Sequence, residues 1–154
     1  MKLFLVQHGV AKSEAEDPQR GLNEEGRRSV ERMAELLKSL HLDLQRIEYS
    51  EKLRARQTGE ILAASLQPVE GTKEITGLAP MDDVELVRAR LQEASENLML
   101  VGHLPHLSRL TSRLLGQGAD QPLVQFQMGG VLRLDRDDSG QWLVRWMLVP
   151  ELFP

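Results

Sequence analysis

The chain contains no cysteine and no long apolar run. The missing thiols exclude disulfides, thiolate nucleophiles and cysteine-ligated zinc sites. The apolar run near the N-terminus stops at Gln7, which makes it too short for the core of a signal peptide. No segment approaches the ~20 apolar residues that a spanning helix needs. We therefore expect a cytoplasmic protein that has no membrane partner.

Neither sign of charge dominates the composition. There are 19 basic and 23 acidic side chains among 154 residues, for a formal net charge of -4. Such a mild acidic balance gives no reason to expect binding to nucleic acid. The length and the 41% hydrophobic content suit one domain over residues 1–154 with a core of its own, and we expect a monomer.

Strand-like and helix-like segments alternate along the chain. Asn23 is a suitable N-cap for the first helix, whose apolar residues recur at helical spacing. Trp142 and Trp146 are spaced to share one face of the last strand. Strands are predicted at 2–6, 46–50, 97–101, 130–135 and 141–147, and helices at 24–40, 52–66, 81–94 and 105–115. The alternation predicts an α/β fold, a three-layer α/β/α sandwich with a mostly parallel open sheet and an antiparallel C-terminal hairpin.

Two of the predicted strands end in the same pair of residue types. The first runs into His8-Gly9 and another into Gly102-His103. In an open α/β sheet, ligands bind in the crevice beyond the carboxyl ends of the strands, and glycine lets a backbone approach a ligand closely. Neighbouring strands would bring both imidazoles into one crevice, whereas the alternative is two unrelated histidines at strand ends.

A third polar segment follows the predicted strand that ends at Ser50. Arg54 falls in the first turn of the next helix, where the helix dipole favours anions rather than cations. The helix N-terminus and a guanidinium can together hold a phosphate. Taken alone, such an arginine can equally be a solvated surface charge.

These segments resemble the motifs of the histidine phosphatase superfamily, most closely its small SixA-type branch, the bacterial phosphohistidine phosphatases. His8-Gly9 matches the Arg-His-Gly motif, and Arg20 matches an arginine before a Leu-Thr-x-x-Gly segment. Residues 50–58 match Ser-x-x-x-Arg-Ala-x-Gln-Thr, and residues 102–105 match the segment with the second histidine. The resemblance covers nearly the whole chain and implies a phosphoglycerate mutase-like fold.

The resemblance also implies the chemistry. His8 would attack phosphorus in line and become a phosphohistidine that water then cleaves; with an ordinary pKa of ~6.5, its imidazole can be neutral at pH 7. His103 would be the second catalytic residue, and Gln7, Arg20, Arg54 and His103 would bind the phosphate oxygens. Arginines and an imidazolium would supply the positive charge, so no metal and no other cofactor is expected.

Gln7 departs from the motif, which has arginine at this position. A glutamine amide donates a neutral hydrogen bond worth ~1 kcal/mol, whereas a charge-assisted one contributes about 1.5–3 kcal/mol. Losing that difference in the transition state would slow turnover by roughly tenfold. The sequence therefore predicts a phosphate site with reduced activity.

A second departure concerns the leaving group. Members that act on phosphomonoesters use a carboxylic acid to protonate the departing oxygen, and Gly77 falls where they carry glutamate. We interpret Asp82, Asp83 and Glu74 as a helix start and surface charges. A phosphorylated imidazole needs no such acid, because its ring takes a proton independently. The implied substrate is a phosphohistidine on a signalling protein, such as a phosphotransfer domain.

His103 and His106 are three residues apart, as a pair of metal ligands on a helix can be. Pro105 intervenes and no third ligand is evident, so we predict no metal site and place His106 at the rim of the crevice.

Three functions are compatible with these residues. The first is a metal-independent phosphohistidine phosphatase that acts through His8. The second is a catalytically degenerate phosphate- or phosphoprotein-binding module, which Gln7 and Gly77 would mark. The third is a small-molecule phosphatase.

Overall fold

One six-stranded sheet organises the protein, whose structure here is a computed structural model that describes residues 1–153. The strands lie in the order β3-β2-β4-β1-β5-β6. The first four in that order are parallel, β5 runs antiparallel to β1, and β6 runs antiparallel to β5. Their bounds are β1 (Lys2–Gln7), β2 (Arg46–Tyr49), β3 (Thr72–Glu74), β4 (Leu98–Gly102), β5 (Val131–Arg136) and β6 (Trp142–Leu148).

Four α-helices cover the two faces of this sheet, and a short 3-10 helix follows at Pro150–Leu152. The α-helices are α1 (Glu24–Ser39), α2 (Leu53–Leu66), α3 (Val84–Glu93) and α4 (His106–Leu114). One hydrophobic cluster joins α3 and α4 to one face, and a second joins α1 and α2 to the other. The predicted three-layer α/β/α architecture with a mostly parallel sheet and an antiparallel C-terminal hairpin is confirmed. None of the described helices is long and apolar enough to cross a membrane.

Strand β1 lies in the middle of both cores. Leu3 and Leu5 belong to the cluster under α3 and α4, whereas Phe4 and Val6 belong to the cluster under α1 and α2. Alternate residues of a strand point to opposite faces of the sheet, and here helices cover both faces. This explains why the strand is an uninterrupted apolar run until Gln7.

Helix α1 begins and packs as its sequence predicts. The side chain of Asn23 accepts a hydrogen bond from the backbone N–H of Gly26 at 2.7 Å, which caps the helix. Val30, Met33 and Leu37 are buried against the sheet. Leu40, expected as the last member of this stripe, lies just beyond the helix and is 46% exposed.

The two tryptophans of β6 lie on opposite faces of the sheet, so the prediction that they share a face is wrong. Trp142 belongs to the cluster under α3 and α4, whereas Trp146 packs against the other cluster, with its ring centroid 5.9 Å from that of Phe4. The pairing of β5 with β6 shifts register between Arg133 and Leu134. An extra residue in one strand reverses the side-chain alternation beyond it.

Candidate active site

The two histidines predicted to meet do so because β1 and β4 are parallel neighbours. Gln7 is paired with Gly102, and the backbone N–H of His8 donates to the carbonyl of Gly102 at 3.1 Å. The two strands therefore end side by side, and the imidazole rings of His8 and His103 lie with their centroids 4.9 Å apart. The expectation of two unrelated histidines is excluded by this contact.

The ring of His8 is held in one orientation by its neighbour. Its Nδ1 lies 2.7 Å from the carbonyl oxygen of Gly9. A carbonyl oxygen can only accept, so in the neutral ring Nδ1 carries the proton and Nε2 keeps its lone pair. Burial is the main cause that lowers the pKa of His8 to about 4. The hydrogen bond to the Gly9 carbonyl raises this pKa, whereas the charges of Arg54 and Arg20 lower it. At pH 7 the ring is therefore neutral, as a nitrogen nucleophile must be.

His103 is held by a residue of the next strand end. Its Nε2 lies 2.5 Å from the hydroxyl oxygen of Ser50, which is itself fully buried. Burial lowers the pKa of His103 to about 3, with further contributions from repulsion between the protonated forms of His8 and His103 and from the charges of Arg54 and Lys52. Without an anion beside it, His103 is therefore neutral at pH 7. A phosphate beside the ring would raise this pKa, because an opposite charge favours the protonated form.

Helix α2 ties the separate parts of the site together. The hydroxyl of Thr58 accepts from the backbone N–H of Gly9 at 3.0 Å and donates to the carbonyl of Arg54 at 2.8 Å. The side-chain oxygen of Gln57 accepts from the backbone N–H of Leu22 at 2.7 Å. Thr58 thus connects the His8 loop to the turn that carries Arg54. The motif match over residues 50–58 predicts no role for Ser50, Gln57 or Thr58, although their fixed spacing from Arg54 is a signal for one.

Arg20 lies on the loop between β1 and α1 in a strained backbone conformation. Its φ is +50°, in the left-handed region that non-glycine residues seldom occupy. The carboxylate of Asp17 holds this turn by accepting from the backbone N–H groups of Gln19 and Gly21, at 3.0 and 2.9 Å. Strain of this kind concentrates at functional sites, and here it fixes the position of an exposed arginine.

The arginines predicted to bind phosphate line one cavity of about 580 Å³. Within residues 1–153, neither Arg20 nor Arg54 forms an ion pair with a carboxylate. Burial and the nearby charge of Arg20 lower the pKa of Arg54. Cations that share a cavity without carboxylate partners form a site for an anion. The cavity is lined by Glu14, Pro18, Gln19, Arg20, Glu51, Lys52, Leu53, Arg54, Arg56 and Glu74.

The carboxylates considered as proton donors are placed differently from one another. Asp83 caps α3 through the backbone N–H of Glu85, as a residue at a helix start does. Asp82 accepts from the backbone N–H of Ala79 at 2.9 Å. Glu74, which we expected to be only a surface charge, is exposed but also lines the cavity.

Gly77 has a conformational reason to be glycine. Its φ is +91°, a value that side chains rarely adopt, so a glutamate here would strain the backbone. The loop that precedes α3 is thus shaped for glycine and not for an acid at this position.

Gly9 has a packing reason to be glycine, which the sequence did not predict. A Cβ at this position would lie 2.8 Å from the side chain of Val30 and 3.1 Å from the backbone oxygen of Gly26, both in α1. The chain after His8 can therefore lie against α1 only without a side chain. This contact fixes the direction in which the loop leaves His8.

Gln7 is the last residue of β1 and lies next to His8 in the chain. The residue is only 6% exposed, and its Oε1 has no hydrogen-bond partner within residues 1–153. Its backbone carbonyl accepts from the N–H of Gly129 at 2.9 Å. A buried amide oxygen without a donor is uncommon outside functional sites.

His106 is completely buried, so the prediction that it lies on the rim is wrong. It begins α4, and most residues of that helix are covered by the sheet and α3. Burial lowers the pKa of His106. Among residues 1–153, no group of three or more histidine, aspartate or glutamate side chains is arranged to hold a metal ion.

Comparison with known proteins gives a consistent picture. Residues 3–79 match the family model described as histidine phosphatase superfamily (branch 1). The chain is 30% identical to phosphohistidine phosphatase SixA of Escherichia coli K12 over 155 aligned positions, which cover 97% of this chain and 94% of SixA. The solved structure of the protein histidine phosphatase SixA complexed with tungstate superposes with a TM-score of 0.88 at 28% identity, covering 100% of both chains.

A more distant structure shares the fold alone. The alpha-ribazole phosphatase of Shigella flexneri superposes with a TM-score of 0.80 at 19% identity, covering 97% of both chains. Because phosphatases with different names share this architecture, the fold does not by itself select a substrate.

Proposed function

The chain belongs to the histidine phosphatase superfamily, and from this premise we propose that it removes phosphate from a phosphohistidine on a signalling protein without a metal. Family membership and the likeness to SixA support phosphatase activity of the histidine type. The observation that carries the proposal is a pair of buried imidazoles in contact, with Arg54 and Arg20 close enough for their charges to lower the pKa of His8. The two guanidiniums line one cavity, and neither has a carboxylate partner within residues 1–153. Phosphoryl transfer depends mainly on positioning and charge stabilisation, which such a cluster supplies.

The first step is attack by His8. Its Nε2 keeps a lone pair because Nδ1–H donates to the carbonyl of Gly9. Nε2 forms a bond to phosphorus while the bond from phosphorus to the substrate imidazole breaks, and that imidazole leaves with the electron pair and takes a proton from solvent water. Arg20 and Arg54 stabilise the charge on the non-bridging oxygens.

The second step is hydrolysis of the phosphorylated His8. A water oxygen bonds to phosphorus, the bond to Nε2 breaks, and the proton of the water passes to the departing phosphate or imidazole. His103 lies against His8 and is positioned by Ser50, so it is the second residue that contacts the phosphoryl group. Its Nδ1 has no hydrogen-bond partner within residues 1–153, and its pKa is lowered. Both features are typical of functional residues.

A protein substrate suits the surroundings of the cavity. The longest connections between described elements are residues 8–23 and 115–130, and neither is a large lid insertion. The leaving imidazole also fits a site in which glycine stands at position 77, because it needs no acid there. A phosphotransfer domain that carries a phosphohistidine is the partner that we propose.

Glu74 favours a second candidate function, hydrolysis of a small phosphomonoester. Its carboxylate lines the same cavity as both arginines and could protonate a departing oxygen. A Glu74→Gln variant separates the two candidates, because it would slow hydrolysis of a phosphomonoester and leave hydrolysis of a phosphohistidine unchanged.

The deciding experiment compares wild type with His8→Ala on a phosphohistidine-bearing phosphotransfer domain and on a panel of phosphomonoesters. We expect faster hydrolysis of the phosphohistidine and its loss in His8→Ala. His41→Ala, at an exposed histidine after α1, is the matched control and should keep full activity. Full activity of His8→Ala would refute the mechanism, and phosphate binding without turnover of any substrate would identify a binding module instead.

A further inference from the structure

Lys52 lies in the cavity of the candidate site, although no sequence motif assigns it a role. It is the residue before α2 and contributes no side-chain cap to that helix. Its backbone N–H points to the hydroxyl oxygen of Ser50 at 3.4 Å, and the same oxygen lies 2.5 Å from Nε2 of His103. The side chain of Lys52 lines the cavity together with Arg20 and Arg54. Lys52 is therefore attached to the framework that holds the second histidine.

Local structure gives no reason for a cation at this position. Lys52 precedes the N-terminus of α2, where the dipole of the helix disfavours positive charge. Its nearest acidic partner is Glu51, with 3.9 Å between the ammonium nitrogen and the carboxylate oxygen, and both side chains are close to half exposed. An exposed pair at this distance contributes little stability. The ammonium, on its flexible four-carbon stem, is free to follow an anion in the cavity.

The electrostatics of the site connect Lys52 to the reaction. Burial, His8 and Arg54 contribute most to lowering the pKa of His103, and the charge of Lys52 lowers it further. The ammonium therefore lies within electrostatic range of the ring. The end of β1 lacks positive charge, because Gln7, the residue before His8, is buried and uncharged. A phosphoryl group near pH 7 carries close to two negative charges, and these increase the demand for cations around it.

We propose that Lys52 binds a non-bridging oxygen of the phosphoryl group and supplies part of the charge that Gln7 does not. This proposal rests on the proposed function, since it names a further phosphate-binding residue of the same site. Lys52 acts as a point charge and not as a bidentate ligand, so its contribution should weaken as salt rises.

The test is a double-mutant cycle between Lys52→Ala and Gln7→Arg. If both residues serve the same phosphoryl oxygens, the effect of removing the lysine depends on the residue at position 7. We expect Lys52→Ala to lower kcat/KM on an aryl phosphate and on a phosphohistidine protein about tenfold in the wild-type background. In the Gln7→Arg background the same change should lower it by about twofold or less.

Two further measurements support the cycle. Tungstate binding, measured by calorimetry, should be weaker in Lys52→Ala than in wild type. It should also depend less on salt concentration in this variant. This readout needs no turnover. Lys38→Ala, at an exposed lysine in the last turn of α1, is the matched control and should change neither kcat/KM nor tungstate binding. Lys52→Arg keeps the charge and should retain most of the activity.

The outcomes separate this proposal from the proposed function. An equal loss in both backgrounds, or no loss of rate and of tungstate binding in either, would overturn the role of Lys52. If His8→Ala is inactive while Lys52→Ala behaves as wild type, only the role of Lys52 fails. If His8→Ala keeps full activity, the proposed function itself fails.

Discussion

The low pKa values of the paired imidazoles make the stability of the protein depend on pH. Burial lowers the pKa of His8 to about 4 and that of His103 to about 3, from 6.5. Between these values and 6.5, the unfolded chain binds more protons than the folded chain, so the free energy of unfolding rises with pH in that window. The contribution is fully present above pH 6.5 and is lost as the pH falls through the folded-state values.

The magnitude follows from the pKa difference. Each pH unit of difference corresponds to about 1.36 kcal/mol, so His8, with a pKa of about 4 in the folded state, contributes about 3 kcal/mol. About 2 kcal/mol of this is lost between pH 7 and pH 5, and the neighbouring His103 adds a loss of the same sign. A domain whose total stability is about 5–15 kcal/mol should therefore be clearly less resistant to denaturant at pH 5.

The assay is urea unfolding of wild type and His8→Asn at pH 7 and pH 5. Asparagine does not titrate, so we expect the variant to lose about 2 kcal/mol less than wild type between the two pH values. Gln92→Asn, at an exposed position on α3, controls for substitutions that remove no titrating group. Proton NMR of the ring protons should show neither His8 nor His103 titrating near pH 6.5.

The reasoning fails if wild type and His8→Asn lose the same stability between pH 7 and pH 5. It also fails if the ring protons of His8 titrate near 6.5, because the ring would then be solvated. A bound oxyanion should oppose the acid effect, since a negative charge beside the imidazoles raises their pKa values.

Two other substitutions test the site, and a third tests helix packing. Gln7→Arg should raise kcat/KM by up to about tenfold, because a charge-assisted hydrogen bond replaces a neutral one; an unchanged rate would mean that another cation fills that role. Ser50→Ala removes the contact with His103 and should lower kcat/KM about five- to tenfold, and unchanged steady-state kinetics would contradict this. Gly26→Ala would drive a Cβ into the backbone of Val10 and should destabilise the fold by about 3 kcal/mol or more, as thermal unfolding will show.

Much of the fold could be predicted from local pattern. The apolar run of β1, the N-cap at Asn23 and the stripe on α1 depend on neighbours in sequence, and these signals survive in a single chain. The faces of β6 could not be predicted, because the bulge opposite Arg133 and Leu134 arises from pairing with β5. The burial of His106 likewise depends on what α3 and the sheet place around it.

By itself, the sequence determined which residue types were available for phosphate chemistry and the order in which they occur. His8, Arg20, Arg54 and His103 were recognisable because their motifs are short and local. Only the tertiary structure decided that β1 and β4 are neighbours, and this places the two imidazoles in contact. It also decided that Lys52 lines the cavity of the arginines. The physical reason is that strand pairing, burial and the pKa changes they cause depend on contacts between residues distant in the chain, which no local pattern encodes.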